Sequence, residues 1–315
     1  MWLISRTENL LTQPIGAERI LSSTDVKRIT HDGSSDPNKE MTEIIGLNNV
    51  KQDMFEMVAR IKYEQEHLEE EMKGKSAKEK KALQKEKMDA ISSMHMVFMG
   101  PPGTGKTTVA RIMTGFLYET GYIKKNKLIE IDGNFLTGLN PSESTQKTSA
   151  LILKALGGVL FIDEAYALAN DNCSQEILAT LVKEMEDRRG QFILIMAGYD
   201  NEMKKMISMN PGIESRVKRY FWFGDYSISD MQQIFIKMAG SEGLTVSPDM
   251  MNLFVDRIVY EQKQPNFGNA RTVRNLLDKM IDRHAVNMMQ NVNSPDEKYT
   301  LTAADMPEID THKHI

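Results

Sequence analysis

Apolar residues at Val50, Met54, Met57, Ile61, Leu68 and Met72 follow helical spacing, in steps of three, four or seven, which predicts a helix. An acidic run over 64–71 then meets a basic run over 73–87 across Gly74. Ser76-Ala77-Lys78-Glu79 has the form of a capping box and restarts a second helix. The expected result is a charged helical hairpin over about 62–92. Short apolar runs at 95–99, 128–132, 159–162, 192–197 and 219–223 read as strands. Helical spacing over 144–156 and 174–188, and in the segment after 106, separates several of them. Strands alternating with helices predict an α/β fold with a parallel sheet covered on both faces. Beyond Asp225 the strand signals fade. Helical patterns over 228–239, 248–260 and 268–290, punctuated by Gly240, Pro248, Pro265 and Pro295, predict a small all-α domain. Residues 1–40 show little periodicity and read as a flexible N-terminal arm with one short helix around 17–21. The organisation expected is therefore an arm over 1–40, an α/β domain over 41–224 and a helical domain over 225–315.

The sharpest chemical signal follows the run 96–99, as Gly100-Pro101-Pro102-Gly103-Thr104-Gly105-Lys106-Thr107-Thr108. A strand breaks into glycines and resumes as a helix at Val109, Ile112, Met113, Phe116 and Leu117. That is the context a phosphate-binding loop requires. Its glycines let the backbone curve into a nest for anionic oxygens, and the helix N-terminus adds its positive dipole end. Lys106 is placed to reach the β- and γ-phosphates of ATP, and Thr107 to ligate Mg²⁺. A second strand ends in Asp163-Glu164, at the carboxyl edge where open α/β sheets hold ligands. Asp163 reads as the Mg²⁺ carboxylate and Glu164 as the group that orients water for attack on the γ-phosphate.

Composition changes this picture little. Of 315 residues, 41% are hydrophobic and 26% charged, an ordinary globular balance. A net charge of −5 argues against general nucleic-acid binding. The single cysteine, Cys173, fits a reducing compartment, and no apolar run reaches the ~18 residues of a membrane span, so a soluble cytoplasmic protein is expected. The 23 methionines read as adaptable core filler rather than a client-binding surface.

The loop at 100–108 and Leu160–Glu164, with Ala197-Gly198-Tyr199, Asn210-Pro-Gly212, Ser215-Arg216 and Phe267-Gly-Asn-Ala-Arg271-Thr-Val-Arg274-Asn, resemble the CbxX/CfxQ family of AAA+ ATPases from about 43 to 289. The resemblance implies a P-loop NTPase with a five-stranded parallel sheet sandwiched by helices and a helical lid, assembled as a ring, usually a hexamer, that remodels a protein partner. It places Ile45 and Gly46 at the adenine pocket. Arg216 falls at the finger donated to the neighbouring subunit's γ-phosphate, with Arg219 as a substitute. Arg271 falls at the lid arginine that senses the γ-phosphate, with Arg274 as runner-up. Three departures follow: Tyr199-Asp200 stand where a polar sensor is usual, the loop after Tyr166 looks shorter than in relatives, and Asn140, followed by Pro141, stands where the pore loop usually presents an aromatic grip. A nucleotide-controlled scaffold is therefore the second expectation and a DNA-loading ATPase the third.

Overall fold

The computed structural model describes residues 23–76, 78–79, 94–169, 173–290 and 295–309, and in it the chain divides into two units. The first runs to residue 222, except for two short segments, 43–48 and 100–105, that belong by their contacts to the second. Its elements in order are α1 (Ser23–Ile29), β1 (Thr30–Asp32), α2 (Pro37–Glu43), α3 (Asn48–Met72), β2 (His95–Met99), α4 (Lys106–Glu119), β3 (Lys127–Asp132) and α5 (Pro141–Ala155). There follow β4 (Val159–Asp163), α6 (Ser174–Asp187), β5 (Ile193–Gly198), α7 (Asp200–Ser208), α8 (Pro211–Arg216) and β6 (Val217–Trp222).

The strands form one sheet in the order β1-β3-β4-β5-β2-β6. Neighbours from β3 to β6 run parallel, with Asp132 opposite Asp163 and Met99 opposite Gly198. Every residue of β2 and β5 is buried. That explains their unbroken apolar runs, since a parallel strand covered on both faces has no polar side. On one face Leu151, Ile152, Ile177 and Leu181 pack against Leu160, Ile162, Leu194 and Met196. Met54, Met57, Met96, Met99 and Met113 are also wholly buried, so these methionines fill core rather than present a surface.

The sheet has six strands, not the five expected. The extra one, β1, pairs antiparallel with β3 through Thr30 opposite Ile129 and covers that edge. Thr30-His31-Asp32 is short and polar, so only main-chain pairing identifies it. The helix predicted over 50–72 is present as α3, but its apolar stripe is buried only as far as Ile61. The face opposite that stripe is solvated and carries pairs such as Arg60–Glu64 (2.7 Å). The helix expected around 17–21 and most of the basic half of the hairpin lie outside the described residues.

The second unit holds α9 (Ile228–Ser241), β7 (Thr245–Val246), α10 (Pro248–Glu261), α11 (Ala270–Met289) and β8 (Thr300–Leu301). Local chemistry starts its helices. Ser227 and Asp230 form a reciprocal capping box on α9, and Ser247 caps α10 ahead of Pro248. Phe235 and Phe254 stack 4.1 Å apart between those two helices. Asp305, wholly buried, accepts from Thr302 N and Asn287 Nδ2, each at 2.8 Å. The all-α expectation is corrected in one respect: β7 and β8 form a two-residue parallel pair, too short to leave a periodic signal. Among the described residues no helix is long and apolar enough to cross a membrane.

Candidate functional site

The buried strand β2 ends at Met99, and α4 begins at Lys106, leaving 100–105 as a connecting loop. The loop belongs by its contacts to the second unit, whose turns hold it by its carbonyls. The carbonyl of Pro102 accepts from Asn269 Nδ2 (3.3 Å), that of Gly103 from Ala270 N (3.2 Å), and that of Thr104 from the Tyr226 hydroxyl (3.1 Å). Gly103 has φ +68°, and a Cβ there would lie 2.0 Å from the carbonyl oxygen of Gly268, so only glycine fits. Thr104 is buried and its hydroxyl donates to Pro101 O at 2.8 Å, so this side chain braces the loop.

The same unit brings the predicted Ile45-Gly46 segment and Arg271 to the loop. Gly46 and Leu47 both have positive φ, and Leu47 Cδ1 lies 3.9 Å from where Gly105 would carry a Cβ. Lys237 Nζ donates to Glu43 O at 2.9 Å, tying the start of that segment to α9. Arg271 is exposed in the first turn of α11, and its backbone nitrogen would meet a Gly103 Cβ at 3.0 Å. Arg274 is exposed one turn further on. Asn269 and Tyr226 carry no role in the sequence reading. Asn269 sits inside the Phe267–Arg271 stretch, but the signal there is the arginine.

In the first unit, Lys106, Thr107 and Thr108 open α4, directly after the loop. Asp163 ends β4 and Glu164 follows it; β5 lies between β4 and β2, so the carboxylates and α4 start share the carboxyl edge of the sheet. Asp163 Oδ1 accepts from Glu164 N at 2.9 Å. Glu164 is exposed with φ +49°, a left-handed conformation that costs a non-glycine residue on the order of 1 kcal/mol and is found at functional sites.

Beside Glu164, Tyr166 and Tyr199 stack with centroids 5.4 Å apart and planes 22° apart. Burial, then the neighbouring Glu164 carboxylate, raises the Tyr166 pKa. A Cβ at Gly198 would lie 2.7 Å from the Tyr166 ring, so the small residue at the end of β5 makes room for the stack. An aromatic pair thus occupies the place of the expected polar sensor, while Asp200 opens α7 and pairs with Lys204 at 2.7 Å.

Arg216 is not brought to this edge. It ends α8 just ahead of β6, whose first residue Val217 lies opposite His95, the first residue of β2. Five strand residues at ~3.3 Å each put roughly 16 Å of sheet between that end and the loop. Arg219 lies within β6, its Nε 3.1 Å from Met94 Sδ. Asn140 caps α5, its side-chain oxygen accepting from Glu143 N at 3.0 Å, and leaves neighbouring Leu139 96% exposed.

Residues 96–225 match the model of the ATPase family associated with various cellular activities (AAA), and residues 227–314 match the AAA lid domain. Stage V sporulation protein K of Bacillus subtilis (strain 168) is 36% identical over 258 residues, which cover 80% of this chain and 75% of that protein. The chromosomal protein CbxX of Cupriavidus necator is 36% identical over 67% of this chain and 68% of its own length. The chloroplastic ribulose bisphosphate carboxylase/oxygenase activase of Cyanidioschyzon merolae is 36% identical over 69% and 75%. Among solved structures, the FIGL-1 AAA domain in complex with ADP has a similar fold, with a TM-score of 0.57 at 15% identity over 96% of this chain and 94% of that one.

Proposed function

The chain belongs to the AAA family of ATPases, within its CbxX/CfxQ group, and hydrolyses ATP to ADP and phosphate; on that premise we propose that it works as a Mg²⁺-dependent homo-oligomeric ring, a hexamer, that remodels a protein client. Lys106 and the amides of 100–105 hold the phosphates, Ile45 and Gly46 line the adenine pocket, and Arg271 contacts the γ-phosphate from α11. Glu164 orients the attacking water and takes up its proton as the water oxygen bonds the γ-phosphorus and the bond from that phosphorus to the bridging oxygen breaks, releasing ADP. Mg²⁺ prefers oxygen donors and is usually held by one or two carboxylates together with substrate phosphates. Thr107 and Asp163 are donors of that kind. Among the described residues no group of three or more His, Cys, Asp or Glu could cage a metal, which suits an ion brought in with the nucleotide. The ion would neutralise charge on the β- and γ-phosphate oxygens.

The observation that carries the ring is the place of Arg216. It lies at the amino end of β6, at the opposite end of the strands from Asp163 and the start of α4, which supports a role toward a phosphate other than its own chain's. A neighbouring subunit is the natural recipient, because its γ-phosphate needs the positive charge that the transition state favours. A protein client is supported by the relation to a ribulose bisphosphate carboxylase/oxygenase activase. The absence of an aromatic at Asn140 favours a second reading, a nucleotide-controlled switch that releases a partner without threading it.

The test is to hold the Glu164→Gln chain in ATP and in ADP, measure its mass by light scattering, and identify proteins retained on it. A ring with a client held in ATP only is the expected result. A monomer in both nucleotides refutes the reading.

A further inference from the structure

Three consecutive carbonyls of the phosphate loop, those of Pro102, Gly103 and Thr104, are each taken by a donor from two turns of the second unit. Two of those donors are side chains, and both residues are buried. Asn269 also accepts from Tyr226 N at 3.0 Å and donates to Asp225 Oδ1 at 2.8 Å, so one amide fastens both turns to the loop. Its backbone stands at φ +49°, ψ −125°, a conformation that favours glycine over a branched or bulky residue. A glycine there would relieve the strain but remove every side-chain bond. The chain keeps the amide in the strained place.

We infer that Asn269 and Tyr226 are positioning residues of the ATPase: they clamp the phosphate loop by its carbonyls and fix it in register with Arg271, two residues beyond Asn269. A loop pinned by its carbonyls is preorganised, so less ordering is left for the moment of phosphate binding. The linkage is reciprocal. Nucleotide that favours one loop geometry favours the corresponding setting of α11, and loss of the γ-phosphate is transmitted along the same three bonds. This rests on the reading that nucleotide occupies the loop.

The experiment compares wild type, Tyr226→Phe, Asn269→Ala and Lys106→Ala by calorimetric titration with ADP and with a non-hydrolysable ATP analogue, and by steady-state kinetics. Each clamp variant is expected to weaken ADP binding by roughly fivefold, the scale of one hydrogen bond, and to raise KM while leaving kcat within about twofold. Amide exchange over 100–105 should quicken in the nucleotide-free protein, a change that a purely structural role elsewhere in the lid does not predict. Tyr226→Phe keeps the ring and removes one hydroxyl, so its result stands even where Asn269→Ala folds poorly. ADP binding at wild-type strength by Tyr226→Phe, or a fall in kcat at unchanged KM, overturns the clamp. If Lys106→Ala also binds ADP like wild type, the nucleotide reading fails; if Lys106→Ala alone loses binding, only the clamp fails.

Discussion

Arg216 Nη2 lies 2.9 Å from Glu186 Oε2 of its own chain, while its Nη1 donates to Gly212 O at 3.1 Å. Arg189 binds the same Glu186, and hydrogen bonds from Arg189 and then Arg216 hold its carboxyl below the usual range. The arginine is thus tethered at the edge of the sheet, beside the start of β6, with its charge shared by an exposed partner.

Arg216→Ala is expected to abolish hydrolysis without weakening nucleotide binding to one subunit. Mixed with Lys106→Ala, which supplies the arginine but not a working pocket, it should recover part of the activity, read as turnover across mixing ratios. Failure to recover at every ratio, with mixed assemblies confirmed by mass, assigns the finger elsewhere. Glu186→Gln should change turnover only ~2–3-fold, with the difference fading at high salt, because an exposed pair is weak and screened.

Glu164→Gln keeps the shape of the side chain and every group that holds phosphate, but loses the base. Turnover is expected to fall at least ~100-fold with nucleotide affinity retained, the loss usual for a positioned acid–base group. Turnover near wild type would remove Glu164 from the catalytic role.

The pore segment separates stability from coupling. Asn140→Ala removes the cap of α5 and should lower stability by about 1 kcal/mol, seen as a lower thermal midpoint. Its oxygen already bonds Glu143 N, so client handling should not depend on it. Leu139, 96% exposed, is the apolar side chain available to grip. If the ring pulls its client, Leu139→Ala leaves the ATPase running and stops remodelling; if it acts as a switch, partner release survives the change. Robust ATP-driven unfolding of an unrelated tagged protein by the wild type would exclude the switch.

His95 gives a pH dependence. Burial, with Arg216 nearby adding to it, lowers its pKa to about 4, and its Nδ1 accepts from Leu194 N at 2.9 Å. The folded state therefore holds a neutral ring, while the unfolded chain takes up a proton near the ordinary value of ~6.5. Its contribution to stability is complete above ~6.5 and is lost as pH falls from there toward 4. Thermal unfolding from pH 7 to pH 5 should show a drop in midpoint that is smaller in His95→Gln, which keeps an acceptor and does not titrate. Equal drops in both proteins would clear His95 of the effect.

Where the chain writes its structure in local signals, those signals suffice. Residues 96–99, 159–162 and 192–197 are strands in the sequence reading because a strand covered on both faces must be apolar throughout, and the same burial makes them visible. The loop 100–108 and the pair Asp163-Glu164 are legible for a related reason: phosphate and metal chemistry needs fixed residue types at fixed short spacing. Thr30-His31-Asp32 had no such mark, since its pairing with β3 is made by the main chain.

The amino-acid order by itself therefore determined the α/β core, the family, and the candidate residues for phosphate chemistry. Tertiary structure alone decided what holds them. Asn269 and Tyr226 lie far along the chain from Pro102 and Thr104, and their bonds to those carbonyls depend on main-chain positions that side-chain types do not encode. Tyr166 came to Tyr199, and Arg216 to Glu186 at the far edge of the sheet, by the same route. Spacing along the chain records contacts within a helix or a strand. Contacts across the fold depend on how strands stack into a sheet, and no local pattern of residues carries that information.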